Sequence, residues 1–134
     1  MSKSLDNDIE IAATQDVTTS RIVTAFTDPQ RVRRDIPGRP EVCNVYSLHK
    51  IFNPNQLESI YSECTLAERG CVDCKKELSN GVNQFFSPIR DRRAEYAAKP
   101  KLVDEILSDG ARRARIIANE TIVEVREKMG LSVL

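Results

Sequence analysis

One long run of helix-type spacing near the end of the chain restricts its fold more than any other feature. Apolar or small residues recur there at steps of three and four, the spacing of one face of an α-helix. Pro100 is placed to begin this helix and Gly130 to end it. The pattern predicts one amphipathic helix over residues 100–128, with Gly110 and Ala114 small enough for another helix to approach closely. Its apolar face comprises Val103, Ile106, Gly110, Ala114, Ile117, Thr121 and Val125.

The rest of the chain also reads as helices joined by short breaks. Residues 1–15 are predicted to be a loop with one short extended piece at residues 9–12. Asn53 is predicted to cap a helix that has Pro54 at its first position. We therefore expect an all-α helical bundle. The helices are expected at about residues 16–26, 42–52, 53–64 and 71–98, the last kinked or restarted at Ser87-Pro88 and carrying Leu78, Val82 and Phe85 on one stripe.

Composition limits the class of protein. The chain has 134 residues, enough for one domain, and its net charge is +0, which excludes a uniformly basic nucleic-acid coat but not local basic patches. Aromatic residues are 5% and Trp is absent, so the core must be aliphatic. No stretch reaches the ~20 apolar residues of a membrane span, and residues 1–8 lack the apolar core of a signal peptide. We therefore expect no membrane association and a cytoplasmic location.

The cysteines are concentrated in one part of the chain and suggest a metal site. Cys71 and Cys74 are three apart near a helix start, so both thiols point to the same side. Structural zinc and a [4Fe–4S] cluster both take four thiolates, and the spacing leaves these two alternatives open. His49 could replace one cysteine in a zinc site, or be a polar residue on a helix. A further alternative is that the thiols are simply buried. The four cysteines are Cys43, Cys64, Cys71 and Cys74.

Two segments concentrate positive charge despite the neutral total. The segment 30–40 has a local charge of +3, from four arginines and one aspartate, and is either a phosphate-contacting loop or a solvated connector. The segment 90–101 has the same excess and contains Tyr96, whose ring could stack on a base. A third group, Arg112, Arg113 and Arg115, lies on the last helix. Exposed helix faces with ion-pair partners are the alternative for each arginine.

Several stretches of the sequence together resemble bacterial tryptophanyl-tRNA synthetases. Residues 1–4 (MSKS) resemble the K-M-S-K-S signature loop of class I aminoacyl-tRNA synthetases without its leading lysine. The resemblance extends to the C-terminus and separates the tryptophan enzymes from their tyrosine relatives. It is carried by residues 39–52 (RPEVCNVYSLHKIF), 70–78 (GCVDCKKEL), 88–96 (PIRDRRAEY) and 125–131 (VREKMGL).

The resemblance implies a domain organisation and an activity. Residues 1–15 would be the remnant of the signature loop of the catalytic domain, and residues 16–134 a helical domain that binds the tRNA anticodon. The full-length family attaches tryptophan to its tRNA with ATP, forming AMP, and is homodimeric. Because the N-terminal nucleotide-binding fold is missing here, this chain alone is expected not to activate tryptophan. The alternative is a stand-alone iron–sulfur or zinc-stabilised helical protein without a ligase role.

The resemblance also implies roles for individual residues. Lys3 would be the catalytic lysine that stabilises the migrating pyrophosphate, and the loop Met1, Ser2, Lys3 and Ser4 would contact the ATP phosphates. Some relatives carry a [4Fe–4S] cluster on a similar cysteine pattern, which favours iron–sulfur over zinc, with Cys43, Cys64, Cys71 and Cys74 as ligands. Lys75 and Lys76 would offset the cluster charge. The expected tRNA contacts are Lys75, Lys76, Arg90, Arg92, Arg93 and Tyr96.

Overall fold

The computed structural model describes residues 8–131, which form helices joined by short turns except for one longer non-helical segment, residues 24–39. Within that range no β-strand occurs, so the predicted all-α class is confirmed. Single turns of 3₁₀-helix at Pro40–Val42 and Pro54–Gln56 lead into the second and third α-helices. No helix of this range is both long and apolar enough to cross a membrane. The α-helices are α1 (Gln15–Val23), α2 (Asn44–Phe52), α3 (Leu57–Thr65), α4 (Cys71–Ala97) and α5 (Pro100–Lys128).

The chain divides into two compact units, residues 1–91 and 92–134. The core of the first unit brings together α1, α2 and α4, through Ile22, Val45, Leu78, Val82 and Phe86. The predicted stripe of α4 is right at Leu78 and Val82 but wrong at Phe85, which is 54% exposed. The core is mainly aliphatic, as the composition predicts.

Three local predictions need correction. Residues 9–12 are not extended: Ala13 N–H donates to the Glu10 carbonyl across a turn, and residues 8–131 contain no strand with which this segment could pair. Of the two alternatives at Ser87-Pro88, a kink or a restart, the restart is wrong, because α4 continues through Pro88 to Ala97. Asn53 does precede a helix with Pro54 at its first position, but that helix is a single 3₁₀ turn and the Asn53 side chain makes no capping hydrogen bond to it. The Asn53 amide instead donates to Nδ1 of His49 at 3.0 Å and lies 3.4 Å from the Glu77 carbonyl.

The second unit contains the last turns of α4 and the whole of α5. The bounds of α5, Pro100–Lys128, coincide with those predicted from its periodicity. Gly130 has φ +67, the left-handed conformation that ends a helix, as predicted. Among the described residues, α5 has no buried side chain.

Replacing Gly81 with alanine is expected to destabilise the protein by about 1–3 kcal/mol. A Cβ at this position of α4 would collide with the Asn53 amide, which its hydrogen bonds to α2 and α4 hold in place. The matched control is Gly110→Ala in α5, where no described atom outside the adjacent residues and the helix's own backbone lies within 4 Å of the added Cβ. It should stabilise by up to about 1 kcal/mol through helix propensity. Denaturant unfolding of the two variants checks the contrast, and a stabilised Gly81→Ala protein would contradict it.

Candidate cysteine centre and basic surface

The fold gathers the four cysteines at one end of the first unit. Cys43 precedes α2, Cys64 lies in the last turn of α3, and Cys71 and Cys74 lie in the first turn of α4. All four are free, half-buried thiols. Burial raises the pKa of Cys74 to about 12, with the charges of the other three thiols adding to the rise and the charge of Arg69 opposing it. Each of the three thiols is therefore near enough to Cys74 to act on its charge.

A glycine ties the basic loop to this thiol group. Gly38 N–H donates to the Cys64 carbonyl at 2.9 Å. A Cβ on Gly38 would lie 2.5 Å from Sγ of Cys64, so only glycine lets the loop approach the sulfur this closely. The segment 30–40 therefore packs against the thiol group and is not a loop that extends into solvent.

Arg31 brings positive charge to two of the thiols. Its Nη1 lies 3.5 Å from Sγ of Cys64 and 3.9 Å from Sγ of Cys71. Its Nη2 donates to the carbonyls of Arg34 and Arg69, at 3.1 and 2.7 Å. Its Nε is buried and has no hydrogen-bond partner among the described residues. The guanidinium is thus fixed beside the sulfur atoms and keeps one donor unused there.

Arg69 is a second cation of this centre. It forms ion pairs with Glu63, at 2.9 Å, and with Glu77, and so joins the end of α3 to α4. Its charge lowers the pKa of Cys74, against the larger effect of burial. Of the two lysines expected beside the thiols, Lys75 donates to the Val23 carbonyl at 2.8 Å and Lys76 is exposed. Sequence reasoning did not assign Arg31 or Arg69 to the centre.

His49 is buried beside the thiol group, where its neutral ring connects Asn53 to the Cys74 carbonyl. Asn53 presents its amide NH₂ to two acceptors, the Glu77 carbonyl and Nδ1 of His49. The proton of His49 therefore resides on Nε2, which donates to the Cys74 carbonyl at 3.2 Å. Burial lowers the pKa of His49. With both ring nitrogens bound to protein groups, His49 fits the polar-residue interpretation better than the ligand one.

Thiols in one neighbourhood do not by themselves form a site for a single ion. In residues 8–131, no three His, Cys, Asp or Glu side chains are placed to hold one metal ion. A cleft of about 320 Å³ opens beside the centre. It is lined by the loop residues Arg31, Val32, Arg33 and Arg34 and by Gly70, Cys71, Val72 and Asp73 at the start of α4.

Apart from Lys75 and Lys76, the predicted tRNA-contact residues fall into two groups. Arg90 points into the first unit, where Nη1 donates to Asn83 at 2.9 Å and Nη2 donates to Thr18 at 2.8 Å. It therefore tethers α1 to α4. Arg92, Arg93 and Tyr96 are exposed on the last turns of α4. On α5, Arg112 and Arg113 both pair with Asp109. The signature-loop residues Met1, Ser2, Lys3 and Ser4 lie outside the described residues.

Comparisons with known proteins place this arrangement in context. The family described as "tRNA synthetases class I (W and Y)" matches residues 1–87. The chain is similar to the tryptophan–tRNA ligase of Aquifex aeolicus, with 37% identity over 98% of this chain and 34% of that protein. Its identity to the Borreliella burgdorferi ligase is 41%, over 98% of this chain and 38% of that protein. For the Deinococcus radiodurans ligase the identity is 42%, over 97% and 40%.

The fold of the chain is also similar to that of a solved tryptophanyl-tRNA synthetase. The crystal structure of tryptophanyl-tRNA synthetase from Campylobacter jejuni, complexed with ADP and tryptophan, matches with a TM-score of 0.84 and 30% identity. The match covers 98% of this chain and 41% of that one. The chain therefore spans well under half the length of the relatives that it matches.

Proposed function

We propose that this chain is the C-terminal, tRNA-binding portion of a tryptophan–tRNA ligase. It belongs to the class I tRNA synthetases of the tryptophan and tyrosine type. The observation that carries this proposal is identity of 37–42% to tryptophan–tRNA ligases over nearly the whole chain. The all-helical fold agrees with a domain that binds RNA. In this proposal residues 1–15 end the signature loop of the catalytic domain, and residues 16–134 form the anticodon-binding domain.

The activity of the whole ligase extends beyond what this chain supplies. The full enzyme would join tryptophan to its tRNA in the cytoplasm with ATP, as a homodimer, and Lys3 with Met1, Ser2 and Ser4 would contact the ATP phosphates. The 134-residue polypeptide alone is expected to release no pyrophosphate from ATP when tryptophan is added. A pyrophosphate assay checks this, and tryptophan-dependent release would contradict it.

The exposed turns of α4 supply the chemistry that an anticodon loop requires. Unstacked bases stack on aromatic rings and guanidinium planes, and phosphates bind Lys and Arg. Arg92, Arg93 and Tyr96 are exposed together there, and Tyr96 is 44% exposed. The arginine-lined cleft beside the thiol group offers further phosphate contacts. Arg90 would support this surface from inside, through its bonds to Thr18 and Asn83.

A [4Fe–4S] cluster at the cysteine centre forms the second part of the proposal. Cys43, Cys64, Cys71 and Cys74 would each bind a different iron atom, so they need to be neighbours without closing around one ion. What supports a cluster here is the cysteine pattern itself and its resemblance to relatives that carry one. The unused Nε donor of Arg31 and the charge of Arg69 suit a group that carries negative charge.

The cluster would give this centre a structural role. It would tie the starts of α2 and α4 to the end of α3, and so hold the helices that lead to the exposed turns of α4. Its chemistry when bound is thiolate ligation of iron, and no electron transfer is needed for the proposed role. RNA binding would then depend on the cluster only through the position of the protein surface.

Binding of an anticodon stem-loop tests the proposed function directly. Fluorescence anisotropy of the holoprotein should show tighter binding to the tryptophan anticodon stem-loop than to one with an altered anticodon. We expect a difference of about tenfold or more, since a lost base contact costs about 1–3 kcal/mol. Equal affinity for both RNAs would favour the alternative of a metal-stabilised helical protein without a ligase role.

Replacing Arg92 and Arg93 together with alanine is expected to weaken stem-loop binding about tenfold at low salt. The slope of log K against log salt should fall in magnitude by about 1–2, one unit for each lost phosphate contact. Arg112→Ala is the matched control, because that arginine already pairs with Asp109 at 2.6 Å. Anisotropy titrations at several salt concentrations measure both effects. A double variant with wild-type affinity and slope would remove these two arginines from the proposed surface.

A further inference from the structure

The two cysteines at the start of α4 lie in different surroundings. Cys71 lines the open cleft beside the thiol group. Cys74 follows three residues later, packs against the hydrophobic core of the first unit, and has its Sγ 3.4 Å from Nε2 of His49. A small dissolved oxidant therefore reaches Cys71 before Cys74. Ligation of a cluster needs four thiolates, but it does not need this difference in access.

Arg31 favours a reaction at the sulfur of Cys71. Its Nη1 lies 3.9 Å from that sulfur, and its Nη2 is held by the carbonyls of Arg34 and Arg69. The thiolate is the form of a cysteine that attacks an oxidant, and positive charge beside the sulfur stabilises it. The same charge stabilises the hydroxide that leaves when a peroxide is attacked. Cys71 thus combines access with a neighbouring positive charge, the two properties of an oxidation-sensitive thiol.

Cys74 is the partner that Cys71 can reach with the least movement. The Cβ atoms of residues three apart in a helix are separated by about 5–6 Å, and a disulfide needs about 3.5–4.5 Å. The adjustment falls in the first turn of α4, where the backbone N–H groups lack intrahelical acceptors. Cys64 is held more firmly, because its carbonyl accepts from Gly38 and Ala67 and a Cβ on Gly38 would lie 2.5 Å from its Sγ. A disulfide between Cys71 and Cys74 is therefore favoured over one between Cys71 and Cys64.

We propose that Cys71 is a site of oxidation by peroxides, and that Cys74 then forms a disulfide with it when the centre holds no cluster. In the first step the Cys71 thiolate attacks one oxygen of hydrogen peroxide, the O–O bond breaks and hydroxide leaves, so that Cys71 becomes a sulfenic acid. In the second step the Cys74 sulfur attacks the Cys71 sulfur and the S–O bond breaks. The leaving hydroxide takes the proton of the Cys74 thiol and becomes water. In total, the two thiols lose two electrons, and peroxide is reduced to two molecules of water.

The consequence for the cluster rests on the proposed function. A disulfide occupies two of the four sulfur atoms that would ligate iron, so the oxidised chain cannot hold a [4Fe–4S] cluster. Exchange with a dithiol breaks the disulfide and returns both thiols. The thiol centre therefore has a reversible oxidised state, in which Cys71 is protected from further oxidation to the sulfinic acid.

Peptide mapping of the oxidised chain tests the pairing. The iron-free chain is treated with one equivalent of hydrogen peroxide, and the remaining thiols are blocked with N-ethylmaleimide. Trypsin releases residues 70–75 as a peptide that contains Cys71 and Cys74 and neither of the other cysteines. We expect this peptide to carry no maleimide and to lack two hydrogen atoms, with Cys43 and Cys64 blocked. A disulfide between Cys71 and Cys64, or equal oxidation of all four thiols, would overturn the proposal.

Four variants separate the roles of these residues. In Cys74→Ser the sulfenic acid of Cys71 has no partner and should be trapped by dimedone, whereas Cys74 should stay unlabelled in Cys71→Ser. Arg31→Met should slow the oxidation of Cys71 about tenfold, because the charge beside the sulfur is lost. The matched control is Arg33→Met, since Arg33 lines the same cleft but pairs with Asp35 at 3.2 Å, and its rate should equal that of the wild type. Labelling of Cys74 in Cys71→Ser, or equal rates for the two arginine variants, would overturn the proposal.

Iron uptake separates failure of this proposal from failure of the proposed function. Iron and sulfide are supplied anaerobically without added thiol. The oxidised chain should take up less than about one iron atom, and the same chain after reduction with dithiothreitol and its removal about four. A chain that forms the disulfide but takes up no iron in either state would overturn the cluster and support the oxidation site. Iron uptake that peroxide treatment leaves unchanged would overturn the oxidation site and support the cluster.

Discussion

Replacing Cys71 with serine is expected to lower the iron content of anaerobically purified protein from about four atoms per chain to less than about one. Cys71 lies in the first turn of α4, beside Arg31 and the arginine-lined cleft. Serine keeps the shape of the side chain but replaces the thiolate that the proposed cluster needs. Iron analysis and the visible absorption of the protein measure the loss.

Val72→Ser is the matched control for this prediction. Val72 is the next residue of the same helical turn and is 63% exposed, so serine there changes the polarity of the turn without removing a thiol. Its iron content should equal that of the wild type. Full iron content in Cys71→Ser would remove Cys71 from the ligand set. One zinc and no iron per wild-type chain would favour the zinc alternative instead.

The fold could be predicted well where the structure of a segment depends only on residues within that segment. The bounds of α5 follow from three- and four-residue spacing between a proline and a glycine, and all of these are local signals. Asn53 shows the opposite case. Its sequence context predicts a helix cap, but the buried ring of His49 needs a hydrogen-bond donor, and Asn53 supplies it. A demand created by tertiary packing outweighed the local preference.

The candidate site could be predicted only in part. The type and spacing of the four cysteines indicate a metal site from the sequence, and in the fold the other three thiols lie near enough to Cys74 to affect its pKa. Arg31 could not be assigned to them, because its contact with Cys64 spans 33 positions along the chain and depends on the path of the loop. The arginines of the basic segments look alike in sequence. Only the structure separates Arg90, bound to Thr18 and Asn83, from its exposed neighbours Arg92 and Arg93.

Replacing Asp28 with asparagine is expected to lower the midpoint of thermal unfolding by about 10 °C or more. The side chain of Asp28 is only 4% exposed and accepts hydrogen bonds from Nε and Nη2 of Arg39, at 3.1 and 2.7 Å. It also accepts from the backbone N–H groups of Arg39 and Gln30. An asparagine cannot accept all of these bonds, and it leaves the charge of Arg39 without its partner.

Asp35→Asn is the matched control for the buried ion pair. Asp35 also pairs with an arginine, Arg33 at 3.2 Å, but both side chains are mostly exposed, at 69% and 73%. Exposed pairs contribute little to stability, so this variant should unfold within about 2 °C of the wild type. Calorimetry of the two variants at neutral pH gives the comparison. Equal effects of both substitutions would contradict the role assigned to Asp28.

The same ion pair predicts how stability depends on pH. The guanidinium of Arg39, by hydrogen bonding and charge, holds the pKa of Asp28 far below its usual range in the folded protein. In the unfolded chain the carboxyl titrates near its ordinary value of about 4. Below that pH the unfolded state takes up a proton that the folded state does not, so stability should fall as the pH decreases. Unfolding midpoints measured from pH 5 to about pH 2.5 should fall less steeply for Asp28→Asn than for the wild type, since the variant lacks this group. Parallel pH profiles for the two proteins would show that Asp28 titrates alike in both states, contrary to its buried pairing with Arg39.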